Sequence, residues 1–259
     1  MNELFSDPAF IAVAVIAVLI TGISKGGFGG MALLAVPLMS LVISPIQAAG
    51  IMLPIMIPMD VMSVWVYRKR WDRRNLAVLI PAAAIGITIG GLTARWVNDD
   101  IVRLLVGIIA VVFIMHRWIT MRRKRTSTEG SSKLPNRAFG IFWGACSGFT
   151  SFLAHAGSPP YQVYVLPQRL PKEIYAGTSV IFFATANAIK LIPYSLLGQF
   201  SPANLSVSAV LLPLVPIGVF IGVWLNRRLR EDVFYAIVMT AIFLVGVRLI
   251  WDGVNNVLG

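Results

Sequence analysis

The residues best placed to do chemistry gather at two breaks. Ser24–Gly30 reads SKGGFGG and His155–Pro160 reads HAGSPP. Gly26, Gly27, Gly29 and Gly30 let the chain break and bring bare backbone N–H groups close to a ligand. A helix starting near Gly29 would aim its positive dipole end at the break. Amides plus dipole make an anion site. At the second break, Pro159 and Pro160 suit the first turn of a helix, with Gly157 at the bend and Ser158 expected as its cap. The competing reading is that these glycines only let helices pack closely.

Cationic and polar side chains stand near the breaks or within apolar runs. Lys25 abuts the first break, and Lys190 follows Asn187 by about one helical turn, so both share nearly one face. An Asn and a Lys so spaced could bind one oxyanion. For either lysine the alternative is a long side chain reaching out to the membrane surface. Asp60 is the sole carboxylate well inside an apolar run. It could pair with Lys25 or Lys190, or carry a proton or cation. His155 could donate to an anion or carry a proton, or be a structural histidine. Gln162 and Tyr161 follow the second break as candidate donors, with helix packing as the alternative.

These residues need a membrane around them. Of 259 residues, 57% are hydrophobic and 13% charged, with a mean hydropathy of +0.79. A soluble domain carries about 25% charged residues, and disorder needs low hydrophobicity. What remains is an all-α polytopic membrane protein. The net charge of +11 then reports basic loops rather than nucleic acid. One cysteine, Cys146, allows no intrachain disulfide, and two histidines are too few for a histidine metal site. No cofactor is called for. The acidic start, MNELFSDP, lacks the positive region of a signal peptide, so the first run is expected to be retained.

Apolar runs cover Pro8–Ser24, Phe28–Ile43, Ile46–Tyr67, Leu76–Val97, Ile101–Thr120, Ala138–Leu153, Pro160–Leu166, Ile174–Leu197, Leu205–Leu225 and Val233–Trp251. A span takes about 20 residues, so most qualify. Phe28–Ile43, Ala138–Leu153 and Pro160–Leu166 are short and sit beside breaks. The expectation is about eight to ten membrane segments, some broken or re-entrant. The joints Tyr67–Arg74, Arg122–Arg137, Gln168–Glu173 and Asn226–Asp232 carry five, six, two and three of the 22 basic residues. The positive-inside rule puts them in the cytoplasm and both termini outside, in the periplasm of an inner membrane.

The chain repeats itself in order. Gly27 to Pro37 parallels Gly157 to Pro167, Ala49-Gly50 parallels Ala176-Gly177, and Asn75-Leu76 parallels Asn204-Leu205. Ile85-Gly86-x-x-Ile89-Gly90 parallels Ile217-Gly218-x-x-Ile221-Gly222, and Asp60 falls in register with Asn187. The expected units are a first repeat at 1–121, a basic linker at 122–137 and a second repeat at 138–259. The first starts outside and the second inside, so the repeats are inverted, as in many secondary transporters. The two Gly-x-x-x-Gly motifs are expected to let helices approach closely, within or between protomers. A homodimer is possible.

The stretch Gly22-Ile-Ser-Lys-Gly-Gly-Phe-Gly-Gly30, an apolar run to Pro37, and the later Gly-Pro echo resemble the sulfite exporter TauE/SafE family, also called the 4-toluene sulfonate uptake permease family. The resemblance runs from Ile11 to Trp251. It implies a transporter of small anions such as sulfite, sulfonates or sulfoacetate, and not an enzyme. The second break departs from the family pattern, with Ser158-Pro159-Pro160 where glycines often recur. Two other classes remain. A cation-coupled metal-ion transporter could use Asp60 with Met52, Met56 and Met59. A membrane-embedded enzyme would need a nucleophile–base or metal constellation, and one Asp, one deep His and one Cys stand at no metal-ligand spacing.

Overall fold

The computed structural model describes residues 7–25, 31–94, 96, 99–124, 136–228 and 231–258. Every regular element among them is helical. Helix α1 (Pro8–Lys25) is followed by a 3-10 turn at Met31–Leu34 and the short α2 (Ala35–Met39). Then come α3 (Pro45–Tyr67), α4 (Arg73–Thr93) and α5 (Asp99–Lys124). After the linker, α6 (Arg137–Ala154) leads to α7 (Ser158–Val165), a 3-10 turn at Leu166–Gln168 and α8 (Lys172–Leu196). The chain closes with α9 (Pro202–Leu211), α10 (Leu214–Arg228) and α11 (Glu231–Leu258). Of the basic linker, 125–135 lies outside the described residues.

Local chemistry sets several starts. Ser44, Asp72, Asn136 and Ser201 accept from the exposed N–H groups of α3, α4, α6 and α9, the usual work of an N-cap. The run Leu205–Leu225, expected as one segment, is instead divided. It bends by 48° between α9 and α10, where Pro213 has no N–H to continue the ladder.

Four helices are long and apolar enough to cross a bilayer: α1, α3, α4 and, from Glu173, α8. The bent pair of α9 and α10 up to Gly222 is either a broken fifth span or a re-entrant loop. Counting eight to ten segments also requires the other helices and the short broken pairs. Large apolar side chains point outward, among them Trp65, Leu92, Phe142, Ile192, Phe220 and Trp251. In water such faces would aggregate; in hydrocarbon they are the expected surface. The chain is an all-α polytopic membrane protein.

The helices pack chiefly as α1 on α10, α4 on α6, α3 on α8 and α5 on α11. Three of these contacts are close enough to exclude a side chain, α5 on α11 among them, where a Cβ at Gly107 would lie 2.8 Å from the Gly246 carbonyl oxygen. A Cβ at Gly86 would lie 2.0 Å from the Ala145 carbonyl oxygen, and one at Gly22 would lie 2.8 Å from Gly218 Cα. The Gly-x-x-x-Gly motifs therefore do the packing work expected of them. Helix α3 is buried along most of its length, through Ala48, Ile51, Met52, Leu53, Ile55 and Met59. It forms the middle of the core and carries Asp60 at the same depth.

Candidate functional site

Helices α3 and α8 run against each other, so Asp60 and Asn187 meet near the middle of the molecule. The Asn187 amide donates to Asp60 Oδ2, and Lys25, in the last turn of α1, donates to Asp60 Oδ1. Both carboxylate oxygens are thereby taken. The Lys25 side chain is 12% exposed. A surface-seeking lysine would be freer, and this one turns inward to a carboxylate.

One turn beyond Asn187, Lys190 is fully enclosed, at 0% exposure. Its Nζ lies 2.6 Å from His155 Nδ1 and 3.1 Å from both the Ser151 carbonyl oxygen and Ser151 Oγ. His155 Nε2 lies 3.1 Å from the Ala49 carbonyl oxygen. A carbonyl only accepts, so Nε2 carries a proton and donates to it. Neutral His155 then presents a bare Nδ1, and Lys190 is the donor. Three acceptors surround Nζ, matching the three N–H groups of an ammonium. The Ser151 carbonyl also belongs to the last turn of α6, whose negative dipole end favours a cation.

The backbone at His155 is itself special. It ends α6 at φ 53° and ψ 23°, in the left-handed region. Histidine is among the few side chains enriched there. Its N–H returns to the Ser151 carbonyl, and Ala156 N–H returns to Thr150. This sharp end turns the imidazole toward α3 and α8 together. Nearby, Tyr194 donates to the Phe152 carbonyl at 2.6 Å.

The structure thus brings together Lys25, Asp60, His155, Asn187 and Lys190. Lys190 lies within electrostatic reach of Asp60 and Lys25, and His155 of Lys25. Counting formal charges with neutral His155, two ammonium groups face one carboxylate. The stretch just past Lys25, at 26–30, adds glycines and a phenylalanine but no charge. Gly26, Gly27, Gly29 and Gly30 lie outside the described residues.

Other expectations fare differently. Gly157 packs on α6: a Cβ there would be 2.8 Å from the Ser147 carbonyl oxygen, and its own carbonyl accepts from Ser147 Oγ at 2.7 Å. Ser158 is not the cap of α7. Gly157 holds that position with no side-chain cap, and Ser158 is already the first helical residue, ahead of Pro159 and Pro160. Gln162, half-buried on α7, makes no side-chain hydrogen bond to the cluster among the described residues. Tyr161 stacks on Phe182 with ring centroids 5.1 Å apart, which is core packing. Two partners escaped the sequence reading. Ser151 carries a faint signal, one turn before His155; the Ala49 carbonyl, as backbone, carries none.

The carboxylate is committed to Lys25 and Asn187, and the described residues contain no group of three or more His, Cys, Asp or Glu able to hold a metal ion. What the cluster offers is hydrogen-bond donors and, with both lysines as ammonium groups, one positive charge in excess, buried among apolar helices. Such a site is suited to attract an anion.

The family model for the sulfite exporter TauE/SafE matches residues 14–249. The chain belongs to the sulfite exporter TauE/SafE family. No curated protein and no solved structure matches it. All five residues of the buried cluster fall within the stretch matched to TauE/SafE. Family membership makes the chain a membrane transporter of sulfur compounds, and the helical bundle fits a multi-pass protein in a lipid bilayer.

Proposed function

We propose that the buried cluster binds a small sulfur oxyanion or organosulfonate (sulfite, a sulfonate or sulfoacetate) and that the chain carries it across the inner membrane by alternating access. One observation carries this reading: Lys190 is fully enclosed yet bonded only to neutral acceptors. A buried cation with no carboxylate in contact is costly, and intramembrane ionisable groups mark substrate pathways by default. Lys25, the most exposed member, would meet the anion first. The Gly157–Ser158 bend follows His155 directly, and the glycines at 26–30 follow Lys25 in the sequence.

The proposed mechanism uses two inverted repeats, at 1–121 and 138–259. The packing supports this. Exchanging the halves turns α1 on α10 into α6 on α4, and leaves α3 on α8 and α5 on α11 unchanged. The register pair Asp60 and Asn187 meets at the α3–α8 crossing, where such an axis would pass. Rocking of one half against the other would open the cluster to alternate sides. The proposed orientation has the basic joints in the cytoplasm and the termini in the periplasm. In its support, Arg70 in one basic joint pairs with Glu173 beside another, so these two lie at one end of the molecule.

The test is uptake of sulfite and simple sulfonates into proteoliposomes. Lys25→Ala and Lys190→Ala are expected to abolish transport while the protein still inserts and folds. Full activity in both would overturn the proposal.

A further inference from the structure

The number of charges in the cluster restricts what it can hold. With both amines as ammonium groups, Lys25 and Lys190 contribute two positive charges, Asp60 one negative, and a singly protonated His155, donating through Nε2 to the Ala49 carbonyl, none. Among the described residues, the polar groups bonded within or packed on the cluster include Lys25 from α1, Asp60 from α3, Ser151 and His155 from α6, and Asn187, Lys190 and Tyr194 from α8. Asp60, Lys190 and His155 are the buried ionisable groups of this set apart from Tyr194, a phenol whose hydroxyl donates to a backbone carbonyl. Both oxygens of Asp60 are bonded, to Lys25 and to Asn187, which holds its negative charge within the cluster.

Resting on the reading of this cluster as the anion site, we infer that it is tuned to a single negative charge. Among the substrates proposed above it favours sulfur monoanions of the form R–SO3−, hydrogen sulfite included, and ranks sulfoacetate, a dianion like sulfate, below them. A monoanion brings the site to neutrality. A dianion leaves one negative charge beside the Asp60 carboxylate, enclosed by the apolar side chains of α3, where an unpaired charge is costly. Asp60 thus has a selectivity role: it cancels Lys25 and leaves Lys190 as the one charge to be matched.

The experiment measures dissociation constants of detergent-purified full-length protein at neutral pH for methanesulfonate, a permanent monoanion, and for sulfate and sulfoacetate, both dianions. Wild type is expected to bind methanesulfonate at least about tenfold more tightly than either dianion. Asp60→Asn raises the excess to two positive charges, and Asn187 can turn its amide oxygen toward the introduced amide. Its preference should invert toward the dianions. Asn187→Asp lowers the excess to zero and should lose the monoanion. It also keeps the inference falsifiable if Asp60→Asn does not fold. Equal affinity for monoanion and dianions in wild type, or unchanged preference in both variants, would overturn the inference and leave the anion site standing. Failure of wild type to bind any of the three would instead sink the anion-site reading itself.

Discussion

The two lysines of the cluster solve the same problem in opposite ways. Lys25 ends α1 on a carboxylate, with its side chain still 12% exposed. Lys190 sits in mid-helix at 0% exposure, and its partners are a carbonyl, a hydroxyl and a bare imidazole nitrogen. An ion pair is electrically complete and needs nothing further. As an ammonium, Lys190 has only dipoles in contact with it, so no contact partner cancels its charge. Burial alone therefore does not say which lysine supplies the unmatched charge; the charge of its partners does, and it points to Lys190, with Lys25 as the more exposed point of first contact.

The strongest way to break this comparison is Lys190→Met. The account expects uptake to vanish. The protein should still fold, because removing a buried charge offsets much of what is lost, leaving about 1–3 kcal/mol for the unpaired His155 Nδ1. Reconstituted uptake and thermal melting read the two effects separately. Asp60→Ala tests the other end. It strands Lys25 and the Asn187 amide and should cost roughly 3–5 kcal/mol in denaturant unfolding. Adding Lys25→Ala should recover about 1–3 kcal/mol through coupling.

Smaller effects sharpen the picture. His155→Val places a β-branched residue at φ 53° and should cost about 1–2 kcal/mol more than His155→Asn, read as the difference in melting. Ser151→Ala removes one of three acceptors while keeping the carbonyl. It should cost about 1 kcal/mol and slow uptake without abolishing it. If Ser151→Ala matched Lys190→Met in its effect on uptake, the hydroxyl and not the charge would be the essential element.

Much of this was legible in the sequence because it rests on period and register. Apolar runs located most helices to within four residues, although only Ala35–Met39 of the run Phe28–Ile43 is α-helical and α11 continues seven residues past Trp251, and the Asp60–Asn187 register pointed both residues at one interface. Lys25, Lys190 and His155 stood out because charge is rare in such runs. Three features were not legible. Whether Asp60 pairs with Lys25 or Lys190 depends on how α1 and α8 approach α3, which no spacing encodes. The cap of α7 falls on Gly157 because the tight approach of Gly157 to Ser147 fixes where the helix begins. The break at Pro213 was hidden inside an unbroken apolar run, although Pro54, Pro58, Pro81 and Pro193 all stay inside helices.

The most direct measurement is the thermal shift produced by methanesulfonate in wild type and in Lys190→Met, both in detergent. Ligand stabilisation grows as RT ln(1 + [L]/Kd), so even weak binding shows at high concentration. The account predicts a dose-dependent rise for wild type and none for the variant, with the variant's own melting still cooperative. An equal rise in both proteins would contradict it, since the buried charge of Lys190 would then play no part in holding the anion.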